Sequence, residues 1–180
     1  MMRRIALLLV LTIPAMLWAT TVIPMDVEKL TAVSTHIVEG RALDSTSQWN
    51  SEHTLIFTYT RFQVTRALKG EAPATIVVRQ LGGTVDGISQ RVAGVRPWRA
   101  GEEALLFLQP STIPDGALVV TGLMQGNFLL RRSPQGVTYV SNGMPDASEY
   151  RVASGEVATY QGSKMRLAEM EARIQKAVQK

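Results

Sequence analysis

TLIFTYTRFQVTRALKG, residues 54–70, is followed by EAPA and then by TIVVRQLGG, residues 75–83. The first run is dense in β-branched and aromatic residues, which suit a pleated, half-buried surface. Leu55, Phe57 and Tyr59 alternate on one face, and then the apolar set moves to the other parity at Phe62, Val64 and Leu68. Strand side chains alternate with a period of two, so a change of phase inside one strand predicts a bulge or bend near Thr60. Two strands with a break there are the alternative. The unbroken β-branched density favours one strand. Lys69-Gly70 supplies a turn, since glycine accepts a positive φ. Thr75 to Leu81 returns as a strand covered on both faces, with Ile76 and Val78 pointing one way and Val77 and Leu81 the other.

Beyond Gly83 the chain reads TVDGISQRVAGVRPWRAG, residues 84–101. Asp86-Gly87 is a strong two-residue hairpin signal. The remainder is a long irregular segment, and such segments are functional or tied down by their own side chains. Arg96, Trp98 and Arg99 form the best exposed binding candidate in the chain, while the bland alternative packs Trp98 onto the body of the fold. Ala104 to Leu108 is a continuous apolar run of strand length, which places it mid-sheet. Ala117–Thr121 and Met124–Arg132 read as further strands. Met124, Phe128 and Leu130 are expected inside, with Gln125, Asn127 and Arg131 outside. Gly126 falls where a larger side chain would crowd a neighbour. Ser133 to Gly136 is a turn, and Val137 to Val140 pairs back.

On the other side of the central pair, Asp26 can cap a short helix over Val27–Ser34. His36 to Leu43 reads as a strand whose interior Gly40 marks a bulge or a sharp bend. Asp44 to His53 reads as a polar loop. Its Trp49 and His53 are candidates for a ligand-facing mouth together with Trp98, against the bland reading of a surface connection. Asn142 to Gly162 is polar and irregular. Ser163 then caps a helix over about 163–179, with Leu167, Met170, Ile174, Ala177 and Val178 in one stripe and a Glu169–Arg173 pair one turn apart.

The N-terminus has the layout of a secretory signal peptide: Arg3 and Arg4, an apolar run from Ile5 to Leu17, and the small residue Ala19. Residues 1–19 are therefore expected to be removed, with a cut after Thr21 as an alternative. The run is short of the ~20 residues of a spanning helix, which favours cleavage over an uncleaved anchor. Residues 20–180 suffice for one domain with its own core. The formal charge of +4 sits at the ends, because the body has twelve Lys and Arg against thirteen Asp and Glu. No basic face for nucleic acid is expected on such a body. The chain contains no cysteine. Disulfides and the usual zinc spacings are thereby excluded.

Catalytic patterns are absent. No GxSxG, GxxxxGK or GxGxxG occurs. His36 and His53 stand apart from any ligand pattern, and Glu102 and Glu103 point to opposite faces of a strand. The expectation is a protein without enzymatic activity, cofactor or metal.

THIVEGRAL (35–43), TYTRFQVTRALKG (58–70), TIVVRQLGG (75–83) and GEEALLFL (101–108) together resemble a widespread group of bacterial exported proteins. The resemblance covers about residues 30–110 and extends more loosely to Gly126. More distantly, Ile37–Arg41 and Phe62–Gly70 resemble the N-terminal domain of tissue inhibitors of metalloproteinases. That likeness implies a mainly β fold, a small closed or partly open OB-like barrel with a short N-terminal helix and a C-terminal amphipathic helix. It also implies a protein-binding role of the protease-inhibitor kind toward a secreted or periplasmic partner. The cysteine with which those inhibitors chelate the protease zinc has no counterpart here. A small-molecule or glycan-binding barrel is the alternative. Periplasmic or extracellular localisation, with no stable membrane insertion after signal removal, completes the expectation.

Overall fold

In chain order the elements are β1 (Thr21–Val22), α1 (Val27–Val33), β2 (His36–Trp49), β3 (Ile56–Lys69), β4 (Thr75–Leu81), β5 (Gly83–Val85) and β6 (Ile88–Gln90). There follow β7 (Glu103–Pro110), β8 (Leu118–Val120), β9 (Asn127–Arg132), β10 (Thr138–Ser141), β11 (Ser148–Arg151), β12 (Glu156–Thr159), β13 (Lys164–Arg166) and α2 (Leu167–Val178). This computed structural model describes residues 21–142, 148–151, 155–159 and 162–179. The expected signal segment lies outside the described residues, as does part of the stretch read as irregular between Asn142 and Gly162. Among the described residues no helix is long and apolar enough to cross a membrane.

Five strands are hydrogen-bonded in a ring. β2 pairs antiparallel with β3 and β3 with β4; β4 runs parallel to β8; β8 pairs antiparallel with β7, and β7 with β2. One edge of β7 is shared. Leu108 to Pro110 pair with β8, whereas Ala104 to Leu106 pair with β9. Between them the chain loops out opposite Phe107, whose carbonyl accepts from Thr121 N–H and whose N–H donates to Gly126 O. β10 and β13 continue the sheet beyond β9. β1, β11 and β12 form a separate small sheet, and β5 and β6 a hairpin.

Long strands bend around a ring only where the ladder slips, and extra residues increase the local twist. The β2–β3 register slips at Ile37/Val38, Glu39/Gly40 and Ala42/Asp44. β3 is one strand, as its β-branched density implies. The bend nearest Thr60 falls in its partner, where Leu43 is the extra residue between the pairs Ala42–Phe62 and Asp44–Arg61.

Two cores share the ring strands. Val38, Phe62, Ile76, Val78, Leu106 and Trp98 pack on one side. Ile37, Leu105, Phe107 and Phe128 pack on the other, under Leu30 of α1 and Met170 and Ile174 of α2. β7 is thus buried on both faces from Ala104 to Leu108, as its unbroken apolar run requires. Asp26 caps α1 by accepting from Lys29 N–H at 2.7 Å.

Elsewhere the structure corrects the sequence reading. Residues 44–49 are not a loop. They extend β2, because Ser45 and Ser47 bond across the ladder to Thr60 and Thr58 at 2.8 and 2.9 Å and replace apolar pairing with hydroxyl pairing. Gln125 and Asn127 are buried rather than outward. Gln125 ties in the N-terminal lead by donating to Ile23 O and accepting from Met25 N–H. Ser163 does not cap α2: β13 intervenes, and the helix starts after Arg166 without a side-chain cap. Arg173 bonds Glu28 of α1 at 2.9 Å, so the cation expected to pair with Glu169 ties the two helices together.

Candidate functional site

β3 and β4 carry Phe62, Ile76 and Val78 to the ring interior. The opposite parity presents the cross-strand pairs Phe57–Leu81 and Tyr59–Arg79 on the outer face. Arg79 lies over the Phe57 ring, 4.6 Å from its centroid. Its Nη1 donates to Asp115 Oδ2 at 2.8 Å, and the Tyr59 hydroxyl donates to the same oxygen at 3.1 Å. Asp115 belongs to the turn between β7 and β8, and its other oxygen accepts from Ala117 N–H at 3.0 Å. Burial alone would raise the Asp115 pKa, but the Ala117 N–H, the Tyr59 hydroxyl and Arg79 outweigh it and hold the carboxyl below its ordinary value.

Beside this network a groove of about 220 Å³ opens between β4 and β8. Its apolar walls are Phe57, Leu81, Val95, Val119, Val120 and Leu123. Leu81 and Leu123 remain 36% and 39% exposed. Leu123 has φ 60°, a left-handed conformation rare for a side-chain-bearing residue and one that clusters at binding sites.

A more polar cleft of about 460 Å³ adjoins the groove, and the two share Gln80, Leu81 and Val95. Gln90, Arg91 and Arg96 line its far side. The wall is set by the β5–β6 hairpin, which turns at Asp86 (φ 50°) and Gly87 (φ 78°), as the Asp-Gly pair predicts. Gln90 Oε1 accepts from Ile56 N–H at 2.6 Å. A Cβ on Gly83 would come within 2.4 Å of both Ser47 Oγ and Thr58 Oγ1, so glycine lets this hairpin lie against β2 and β3. Gln80 Nε2 donates to Arg96 O at 3.3 Å. Gln80 Oε1 is buried and has no hydrogen-bond partner among the described residues.

The five residues singled out from sequence do not converge. Trp98 is 5% exposed and belongs to the ring core, edge-on to Phe62 at 4.9 Å, with its Nε1–H donated to Asn127 Oδ1 at 3.1 Å. Of the two readings of Trp98, the packed one agrees with the structure and the exposed binding candidate does not, because Phe62 and Asn127 converge on the indole. Arg96 lines the cleft, but its guanidinium is held by Glu102 at 3.0 Å. Arg99 lies on a different, open surface beside Arg41, Glu103 and Arg131. There Arg41 pairs with Glu103 at 2.6 Å, and Arg131 lies 3.6 Å from Glu102. Burial would raise the Glu102 pKa, yet Arg96, the Arg99 N–H and the Arg131 charge bring it below its ordinary value.

Trp49 and His53 do meet, with ring centroids 6.2 Å apart and planes at 24°. They sit at the tip of the β2–β3 hairpin, where Asn50 Oδ1 accepts from Thr54 and Leu55 N–H at 2.8 and 2.9 Å. Neither lines the groove or the cleft. His36 is at the opposite end of β2, so the two histidines share no site.

Sequence reasoning missed Gln80, Leu81 and Leu123 as site residues. Leu81 read as a strand residue covered by a neighbour, and only the partial reach of β8 leaves it open. The arginines of the 84–101 segment were the available signal. The site has the means to hold a chain or a small molecule by apolar contact, cationic attraction and amide hydrogen bonds. Among the described residues no group of three or more His, Asp or Glu is placed to hold a metal ion. No protein-family model matches the chain, and no curated protein matches it.

Proposed function

We propose that this chain is an exported, OB-type binding module that engages another protein through the outer face of β3 and β4, and that it is not an enzyme. The ring order supports the OB reading: first strand to second, second to third, third parallel to fifth, fifth to fourth and fourth back to first. OB folds bind ligands on the face of their second and third strands and the adjoining loops. Here those strands are β3 and β4. The observation that carries the binding reading is the groove itself, where Leu81 and Leu123 stay exposed beside a hydrogen-bonded network that keeps Arg79 and Phe57 in place. Apolar surface rimmed by polar groups is the kind of feature on which interaction sites are built. Export rests on the Arg3-Arg4, Ile5–Leu17 and Ala19 layout. A protease-inhibitor role is the narrower form of the same reading, and it would operate without an N-terminal cysteine.

The test is capture from the host's extracytoplasmic fraction with the wild type and a Leu81→Asp variant of equal melting temperature. One protein enriched by the wild type and lost in the variant supports the reading. Equal capture by both removes this face from consideration. N-terminal sequencing of the accumulated chain checks export, with Thr20 or Val22 expected as the first residue.

A second reading, a small-molecule or glycan site, is favoured by the cleft of about 460 Å³. Small-ligand sites run to roughly 300–1,000 Å³. A change in tryptophan fluorescence with millimolar sugars or lipids, with no protein captured, would place the function there.

A further inference from the structure

The pairing of β4 with β8 stops at Arg79 and Val119, while β4 itself runs on to Leu81. Gln80 and Leu81 therefore have a partner strand, β3, on one side only. Gln80 belongs to one face of β4 and Arg79 and Leu81 to the other, yet all three line the same groove. Side chains of opposite faces meet one hollow only along the edge of a strand. Gly82 N–H donates to Ile56 O at 2.8 Å. The alternation of an antiparallel ladder then turns the backbone of Gln80 toward β3 and the N–H and C=O of Leu81 toward the open side.

The charged side chains that line the two hollows at this edge are all arginines: Arg79, Arg91 and Arg96. Arg79 and Arg96 are held by Asp115 and Glu102, which stand outside both linings. Arg91 has no hydrogen-bond or ion-pair partner among the described residues. Gln80 Oε1 adds a buried acceptor without a donor.

We infer that the open edge of β4 receives an extended peptide by strand addition, with an apolar residue in the groove and an acidic residue next to it along the chain. The inference rests on the protein-binding reading above and names the chemistry of the partner. Main-chain bonds to an open sheet edge supply affinity in this mode, and alternate side chains supply specificity. Successive side chains of an added strand point to opposite faces. One then enters the apolar groove beside Leu81 and Leu123, and its neighbour reaches the cleft that holds Arg91. A single-stranded nucleic acid would also meet the arginines, but it needs open aromatic faces for its bases. Phe57 is only 8% exposed and is already covered by Arg79.

The test is fluorescence anisotropy of the purified protein with three labelled octapeptide pools, alternating apolar–acidic, apolar–basic and apolar–glutamine. The acidic pool should bind about tenfold or more tightly than the glutamine pool, since opposite charge at a rim favours encounter and like charge penalises it. Arg91→Glu should erase that preference while leaving the melting temperature unchanged. N-methylation of alternate amides of the acidic peptides, in one of the two registers, should abolish binding, and the Leu81 amide should exchange more slowly with solvent in the complex. Equal binding of the basic pool, binding that survives N-methylation in both registers, or binding of an oligothymidylate in place of every peptide pool would overturn the inference. If Leu81→Asp abolishes capture of a natural partner but no pool shows an acidic preference, this inference falls and the protein-binding reading stands. If neither capture nor any pool responds to Leu81→Asp, both fall.

Discussion

Trp98→Ala is expected to destabilise the ring rather than to remove a contact with a partner. The side chain is buried against Phe62, and its Nε1–H is the donor to the buried Asn127 Oδ1 at 3.1 Å. Truncating a buried tryptophan loses its transfer energy and leaves a cavity, which together cost about 3–5 kcal/mol. Stranding the Asn127 acceptor costs about 1–3 kcal/mol more. The two overlap, because water entering the cavity can satisfy Asn127, so a total of about 4–6 kcal/mol is expected. At about 2–4 °C per kcal/mol for a domain of this size, the melting temperature should fall by roughly 8–24 °C. That is a large share of the ~5–15 kcal/mol by which domains are stable, so a milder companion is needed. Trp98→Phe keeps an aromatic ring against Phe62, removes the donor for about 1–3 kcal/mol, and adds a cavity smaller than that of the alanine variant. Urea unfolding of Trp98→Phe, Asn127→Leu and the double variant would show an interaction energy of about 0.5–3 kcal/mol if the bond matters. A Trp98→Ala protein that melts within about 2 °C of the wild type and loses partner capture would refute the reasoning, because a core tryptophan cannot be removed at so small a cost.

Other outcomes follow from the same geometry. Gly126→Ala places a Cβ 2.7 Å from Thr121 O and 2.9 Å from Phe107 O. Both are backbone atoms that cannot swing aside, so the urea midpoint should report a loss of about 2 kcal/mol or more. Ile174→Ala, at a fully buried position, should cost about 2–5 kcal/mol, whereas Val178→Ala, on the exposed end of the same stripe, should stay within about 0.5 kcal/mol; equal effects would mean that α2 docks differently. Glu39 predicts a pH dependence. Burial first, and then the Glu171 carboxylate, raise its pKa above the ordinary 4.5, and Arg66 does not cancel them. A carboxyl whose folded pKa is raised contributes fully below its unfolded value and loses that contribution as the pH rises through the folded one. Relative to Glu39→Gln, the wild type should therefore lose stability as the pH climbs from about 4.5 toward neutrality. A pH-independent difference between the two would reject this account. Glu102 and Asp115 have lowered pKa values, so their contribution runs the other way and is lost as the pH falls below the ordinary carboxylate range.

Features set by neighbours along the chain were legible in the residues. The Asp26 cap, the Asp86-Gly87 turn, the central placement of Ala104–Leu108, the single long strand through Thr60 and the tight fit at Gly126 all follow from local spacing, conformational preference or side-chain size. Features set across the fold were not. Ser45 and Ser47 read as loop residues because their strand pairing depends on the hydroxyls of Thr60 and Thr58 on the facing strand. Asn127 read as outward because its parity on the strand says nothing about the indole donor 29 residues away that satisfies it inside.

The candidate site divides in the same way. From the sequence alone, the arginines of the 84–101 segment and the alternation of Thr75–Leu81 could be read, so the materials of the site were visible. The tertiary structure alone decided that Trp98 is core, that Arg96 is held by Glu102, and that β8 leaves β4 after Arg79 with Leu81 open beside Leu123. The physical reason is that periodicity and capping act over a few residues, whereas burial and the length of a strand's pairing depend on segments that meet only when the ring closes.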